Sequence, residues 1–120
     1  MLPNRMQLSR QTEEQLKRLK GYTGITPNVS ARLAFFCSVE SGFRYSSEFD
    51  TKRLDGSLVL DKITWLGETL QATEMVLKML YPQLEPKMSI RVWAAHVEDG
   101  ISSLRNHKNL KEFTQAIAIS

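Results

Sequence analysis

The sequence predicts a mainly α fold: a compact domain of about five helices, with a possible short N-terminal strand and an irregular middle at residues 43–65. Two observations carry this. Apolar residues recur at helical spacing through residues 66–80 and 90–104, and capping residues, Pro or Gly bracket the helical segments of the first 42 residues. The length of 120 residues, with 42% hydrophobic and 24% charged side chains, suits one core spanning residues 1–120.

The elements follow in order. Residues 4–9 alternate polar and apolar, with Met6 and Leu8 on one side and Arg5, Gln7 and Ser9 on the other, as in a half-buried strand or an extended arm. A first helix starts at Ser9 or Thr12, where Thr12-x-x-Gln15 has the form of a capping box. Leu16 and Leu19 form its inner edge, and Gly21 is the expected left-handed terminator. Thr26-Pro27 opens a second helix, with Thr as N-cap and Pro at the first helical position, and Ser41-Gly42 ends it. Its expected inner stripe is Val29, Leu33 and Phe36, with Phe35 and Ala31 on another face. Asp55-Gly56 turns a hairpin between 43–54 and 57–65, or else the stretch is a structured loop. A third helix spans Leu66 to Leu80 and is closed by Pro82. The fourth places Ile90, Trp93, Ala94, Val97, Ile101 and Leu104 on one stripe. Gly100 within that helix points to the close approach of a neighbour. Asn109 caps a last short helix, Leu110 to Ile117.

Several classes of function are excluded or weakened. The longest apolar run has five residues, Leu33 to Cys37, so a transmembrane span is not expected. Without an apolar leader, and with Cys37 alone, the expected setting is cytoplasmic. Enzyme constellations are sparse. His96 and His107 lie about 16 Å apart along a helix, too far to share a metal. Both are expected at a surface or helix edge, and Cys37 as a small buried hydrophobe. Gly21-x-x-Gly24 lacks the strand and the Lys-Ser/Thr of a phosphate-binding loop. No cofactor and no metal are expected.

Charge is the informative feature. The net charge is only +3, yet residues 1–44 hold seven Lys/Arg against three acids, whereas residues 45–86 hold four against seven. A basic first third suits an anionic partner, with nucleic acid foremost. The candidates are Arg5, Arg10, Lys17, Arg18, Lys20 and Arg32. Lys17 and Arg18 have glutamates four residues earlier, Glu13 and Glu14, so solvation competes with DNA contact there. Arg5, Arg10 and Lys20 have no such neighbour. Strand, helix, turn and helix over residues 4–42 also match the ribbon–helix–helix plan, in which strands of two chains pair and enter the major groove. Arg5 and Gln7 would then read bases.

A more specific resemblance covers nearly the whole chain. The segment from Arg18 to Gly42, with its Thr26-Pro27-Asn28 helix start and Ala31-Arg32-x-Ala34, is similar to the DndE family of DNA phosphorothioation (DNA sulfur modification) proteins. Thr64-Trp65-Leu66-Gly67-Glu68 and His96-x-x-x-Gly100 agree with that pattern, whereas residues 45–63 depart from it. The resemblance implies a non-catalytic DNA-binding accessory subunit that works with a sulfurtransferase-like subunit and an ATPase. It also implies a homo-oligomer, with a tetramer favoured. Gly21, Tyr22, Gly24 and Phe35 are the expected contact: two residues without Cβ, and an aromatic ring off the core stripe. A ribbon–helix–helix regulator and a protein-only adaptor are the alternatives.

Overall fold

The computed structural model describes residues 1–50 and 53–104. The helices are α1 (Arg10–Thr23), α2 (Pro27–Glu40), α3 (Lys62–Leu66), α4 (Leu70–Leu80) and α5 (Ser89–Leu104). Strands β1 (Arg5–Met6) and β2 (Leu60–Asp61) pair antiparallel, Arg5 opposite Asp61 and Met6 opposite Leu60. The fold is mainly α, as the periodicity predicts. The expected helix from Leu110 to Ile117, its Asn109 cap and His107 lie outside the described residues.

The α2–α5 contact is the centre of the core. α2 turns Ser30, Ala31, Ala34, Phe35 and Ser38 inward, and α5 meets them with Val92, Trp93, His96, Val97, Gly100 and Ile101. This reverses the expected orientation of α2. Val29, Leu33 and Phe36 are only partly buried, while Phe35 is fully buried against Phe36 and His96. The physical reason is distance. A Cβ on Gly100 would overlap the backbone of Ala34, so the helices touch nearly backbone to backbone. Only small residues fit such a seam, and the larger side chains are turned to its flanks. The close approach expected at Gly100 is therefore found, whereas Phe35 is spent inside the chain and is not an exposed contact ring.

One open alternative is decided and two local expectations are corrected. Ser9, not Thr12, caps α1: its Oγ accepts from Thr12 N at 3.2 Å and donates to Thr12 Oγ1 at 2.9 Å. Gly21 lies within α1, and the left-handed terminator is Gly24 at φ 75°, whose N–H donates to Lys20 O. The third helix is interrupted: α3 stops at Gly67 (φ 52°), a 3₁₀ turn follows over residues 67–69, and α4 begins at Leu70.

Among the described residues, 43–50 and 53–59 form a structured loop rather than a hairpin. The strand that does form, β2, pairs with β1 of the same chain. That pairing also corrects the ribbon–helix–helix reading: the order strand, helix, helix is present, but the strand has an internal partner. Gln7, the other expected base reader, donates to the Gly56 carbonyl at 3.2 Å. Trp65 Nε1 donates to the Met6 carbonyl at 2.8 Å, fastening α3 under β1.

Gly100→Ala tests the seam. The added methyl must push α5 off α2, a strain of about 3 kcal/mol. A fall of that size in urea-unfolding free energy is expected.

Candidate nucleic-acid interface

The basic candidates sit on α1 and around it. α1 buries Thr12, Glu13, Leu16 and Leu19, so Arg10, Lys17, Arg18 and Lys20 all project to solvent, as does Arg5 on β1. Arg10, Glu13, Lys17 and Lys20 follow at i, i+3, i+7 and i+10, one stripe on which Glu13 is the acidic member.

Glu13 is turned away from that stripe. It is 3% exposed, and its carboxylate accepts from Ser57 N at 3.0 Å and Leu58 N at 2.6 Å, with the Ser57 hydroxyl beside it. Lys17 Nζ stands at 3.8 Å, a loose contact from an exposed ammonium. Expected as a partner of Lys17, which it contacts loosely, Glu13 is also the anchor of loop 55–58. Gly56 N donates to Leu8 O at 2.8 Å and completes the attachment. The consequence for charge is direct: the one acid on the stripe is engaged by amides below the surface, and the cations stand outside it.

Arg32 has a different position. Its Nε donates to Trp65 O at 2.8 Å and Nη2 to Thr64 O at 3.1 Å, and Asn28 Nδ2 reaches the same Thr64 carbonyl at 3.0 Å. These are carbonyls at the end of α3, which the break at Gly67 leaves without helical partners. The guanidinium packs so closely on Gly67 that a Cβ there would meet it at 2.8 Å. Arg32 thus clamps the end of α3 and is half-buried, apart from the exposed cations. Among the exposed acids near the patch, Glu14 stands on α1 four residues before Arg18, whereas Asp61 and Asp55 are structural caps. Asp61 Oδ1 accepts from Thr64 N at 2.7 Å, opposite Arg5. Asp55 Oδ1 accepts from Arg10 N at 2.9 Å, and that bond, with the Arg10 and Arg53 cations nearby, holds its carboxyl below the usual range.

The titratable groups of the interior are locked. His96 is fully buried, contrary to the expected surface position. Tyr45 N donates to Tyr81 Oη at 2.8 Å, which leaves the Tyr81 hydroxyl proton for His96 Nε2 at 2.7 Å. His96 Nδ1–H then faces Ser38 Oγ at 2.9 Å, a tautomer assigned from this chain of bonds. Burial, with Arg44 nearby, pushes the imidazole down to about 4. An open groove of about 330 Å³ lies between residues 43–46, Asp50 and Leu54 on one side and α5 on the other. There Tyr45 donates to Asp50 at 2.8 Å, and burial with that carboxylate pushes the phenol up to about 12, so it keeps its proton. Ser38 is 1% exposed and Cys37 is partly buried. Among the described residues no three metal-ligating side chains gather, and no helix is long and apolar enough to cross a membrane.

Sequence reasoning missed Glu13 and His96, although the signal was present. Glu13 lies three residues before Leu16, and His96 three after Trp93, so both occupy core-facing positions.

A small helical domain with a cationic edge and locked interior ionisable groups is the structural class. Its relatives are specific. The family model for the DNA sulphur modification protein DndE matches residues 5–112. The crystal structure of DndE from Escherichia coli B7A, involved in DNA phosphorothioation modification, is 81% identical with a TM-score of 0.84, over 87% of this chain and 100% of that one. A DndE G21/24K mutant structure, also described as involved in DNA phosphorothioation, is 78% identical with a TM-score of 0.81, over 86% and 98%. Among curated proteins none matches. The chain belongs to the DndE family of DNA sulphur modification proteins.

The neutral buried histidine gives a testable pH dependence. Its folded pKa, about 4, lies below the value near 6.5 of an unfolded chain, so the unfolded state binds the proton first. The contribution to stability is complete above about pH 6.5 and is lost as pH falls toward 4. Urea-unfolding free energy should decline across that window, and His96→Gln should flatten the decline between about pH 6.5 and 5.

Proposed function

We propose that this protein is a cytoplasmic, non-catalytic, DNA-binding subunit of the phosphorothioation machinery. It holds duplex DNA through phosphate contacts with little sequence preference and acts as a homo-oligomer, a tetramer. The sulfur chemistry belongs to its partners, a sulfurtransferase-like subunit and an ATPase. The observation that carries the reading is the orientation of Glu13, which leaves Arg10, Lys17 and Lys20 as an exposed cationic stripe with Arg5 and Arg18 beside it. Arg32 contributes by holding α3 and belongs to the site as a support. The internal partners of β1 and Gln7 speak against a sequence-reading ribbon.

Assembly is supported by the turn between α1 and α2. Gly21 lies inside a helix, exposed, where glycine costs about 1 kcal/mol relative to alanine. Among the described residues nothing comes within 4 Å of the position of a Cβ there, so the packing of those residues does not require glycine. Close approach by a second chain does. Tyr22 beside it is 64% exposed, an aromatic side chain suited to an interface, and Gly24 continues the open surface. Phe35, buried by α5, is left out of this contact.

Affinity for a mixed-sequence duplex should fall with salt at a log–log slope near −0.9 per phosphate neutralised. Changing Arg5, Arg10, Lys17, Arg18 and Lys20 together to Ala should abolish most of that slope without loss of helical circular dichroism. Failure of the wild type to bind at about 50 mM salt would leave the protein-only adaptor. For assembly, light scattering should give a tetramer mass that drops in the Gly21→Lys/Gly24→Lys variant, whose DNA affinity falls with its valency. A wild type that is monomeric at micromolar concentration removes the oligomer.

A further inference from the structure

Loop 53–58 has no regular secondary structure, yet it is firmly placed. Glu13 accepts two of its amides, Gly56 bonds to Leu8, and Gln7 reaches the Gly56 carbonyl. A Cβ on Gly56 would sit 2.7 Å from Leu8 O, so the loop backbone lies directly on the chain entering α1. Four residues separate Arg53 from Leu58, and Arg53 itself is exposed. Asp55 ties the loop to the first turn of α1 through Arg10 N. The loop therefore carries an arginine to the N-terminal end of the cationic stripe and sets an exposed carboxylate beside it.

We propose that Arg53 is a DNA-phosphate contact that extends the α1 patch, and that Asp55 is a built-in counter-charge limiting the affinity of Arg10 and Arg53 for DNA. The inference rests on the DNA-binding reading above. Its chemistry is ion pairing at an exposed site. A phosphate that approaches Arg10 and Arg53 meets the Asp55 carboxylate as a competitor for the same two cations and as a like charge. The carboxylate is ionised at neutral pH, because the Arg10 amide and both guanidinium groups favour its charged form. Preorganisation by Glu13 means that Arg53 is delivered without the entropy cost of ordering a free loop on binding. Asp55 has a structural duty as well, as acceptor for Arg10 N, and an asparagine at that position keeps the acceptor oxygen while removing the charge. The two duties can thus be separated by one substitution.

The experiment is a fluorescence-anisotropy titration of a labelled mixed-sequence duplex, using the full chain across a salt series. Arg53→Ala should weaken binding by about threefold and reduce the salt slope by about 1. Asp55→Asn should tighten binding by about threefold, with an unchanged thermal midpoint and circular dichroism. If Asp55→Asn lowers the midpoint, the titration at a temperature well below it still reads the charge effect. Wild-type affinity and slope for Arg53→Ala, while the combined α1 variant still weakens binding, overturns Arg53 and leaves the α1 reading intact. Unchanged or weaker binding by folded Asp55→Asn overturns the counter-charge. A wild type that does not bind the duplex at low salt overturns both this inference and the reading beneath it.

Discussion

The backbone contact between Ala34 and Gly100 is the constraint on which the other packing depends. Because α2 and α5 touch there, the face of α2 with the smallest residues has to point inward. Its larger side chains then lie on the flanks, where Leu33, Phe36 and Cys37 pack against the core edge. The same contact places Ser38 within reach of His96 and sets Phe35 against the ring. The buried histidine is tolerated because every polar atom of the imidazole is bonded, and it ties α2, α4's C-terminal Tyr81 and the segment at Tyr45 to one side chain.

Glu13 does for the surface what this seam does for the core. A carboxylate that accepts loop amides is both a cap for irregular backbone and a way of removing a negative charge from a helix face. Both consequences bear on DNA. The stripe through Arg10, Lys17 and Lys20 keeps its positive field, and the loop that carries Arg53 is held beside it. Arg32 shows the converse. It is a cation in the same third of the sequence, but its donors are used on the open end of α3.

Helix positions were legible because they follow from periodicity and punctuation: Thr26-Pro27 starts α2, and the 90–104 stripe is α5. Orientation was less legible. Counting large apolar residues selects Val29, Leu33 and Phe36 for the interior, and that rule fails when two helices come too close for such side chains. The roles of charged residues were legible only in part. That Arg10, Lys17, Arg18 and Lys20 are exposed follows from the helical face, and that Arg5 is exposed follows from the strand alternation. That Glu13 is buried and Arg32 half-buried depends on loop 55–58 and on the end of α3, which are distant in sequence.

The pairing of β1 with β2 also bears on how the chain is made. Met6 and Leu8 are 1% exposed in the finished fold, but what covers them includes Trp65 and the strand at Leu60. Synthesis runs from the N-terminus, so this segment leaves the ribosome more than fifty residues ahead of its partner. Until residues 60–65 emerge, α1 and α2 have to wait with an apolar strand uncovered at their side. Ser89 closes the arrangement later still, through its hydrogen bond to the Met1 carbonyl at 3.0 Å. The strand at Met6 is thus sealed only once residues 60–65 have emerged, and until then it is open to mispairing with neighbouring copies.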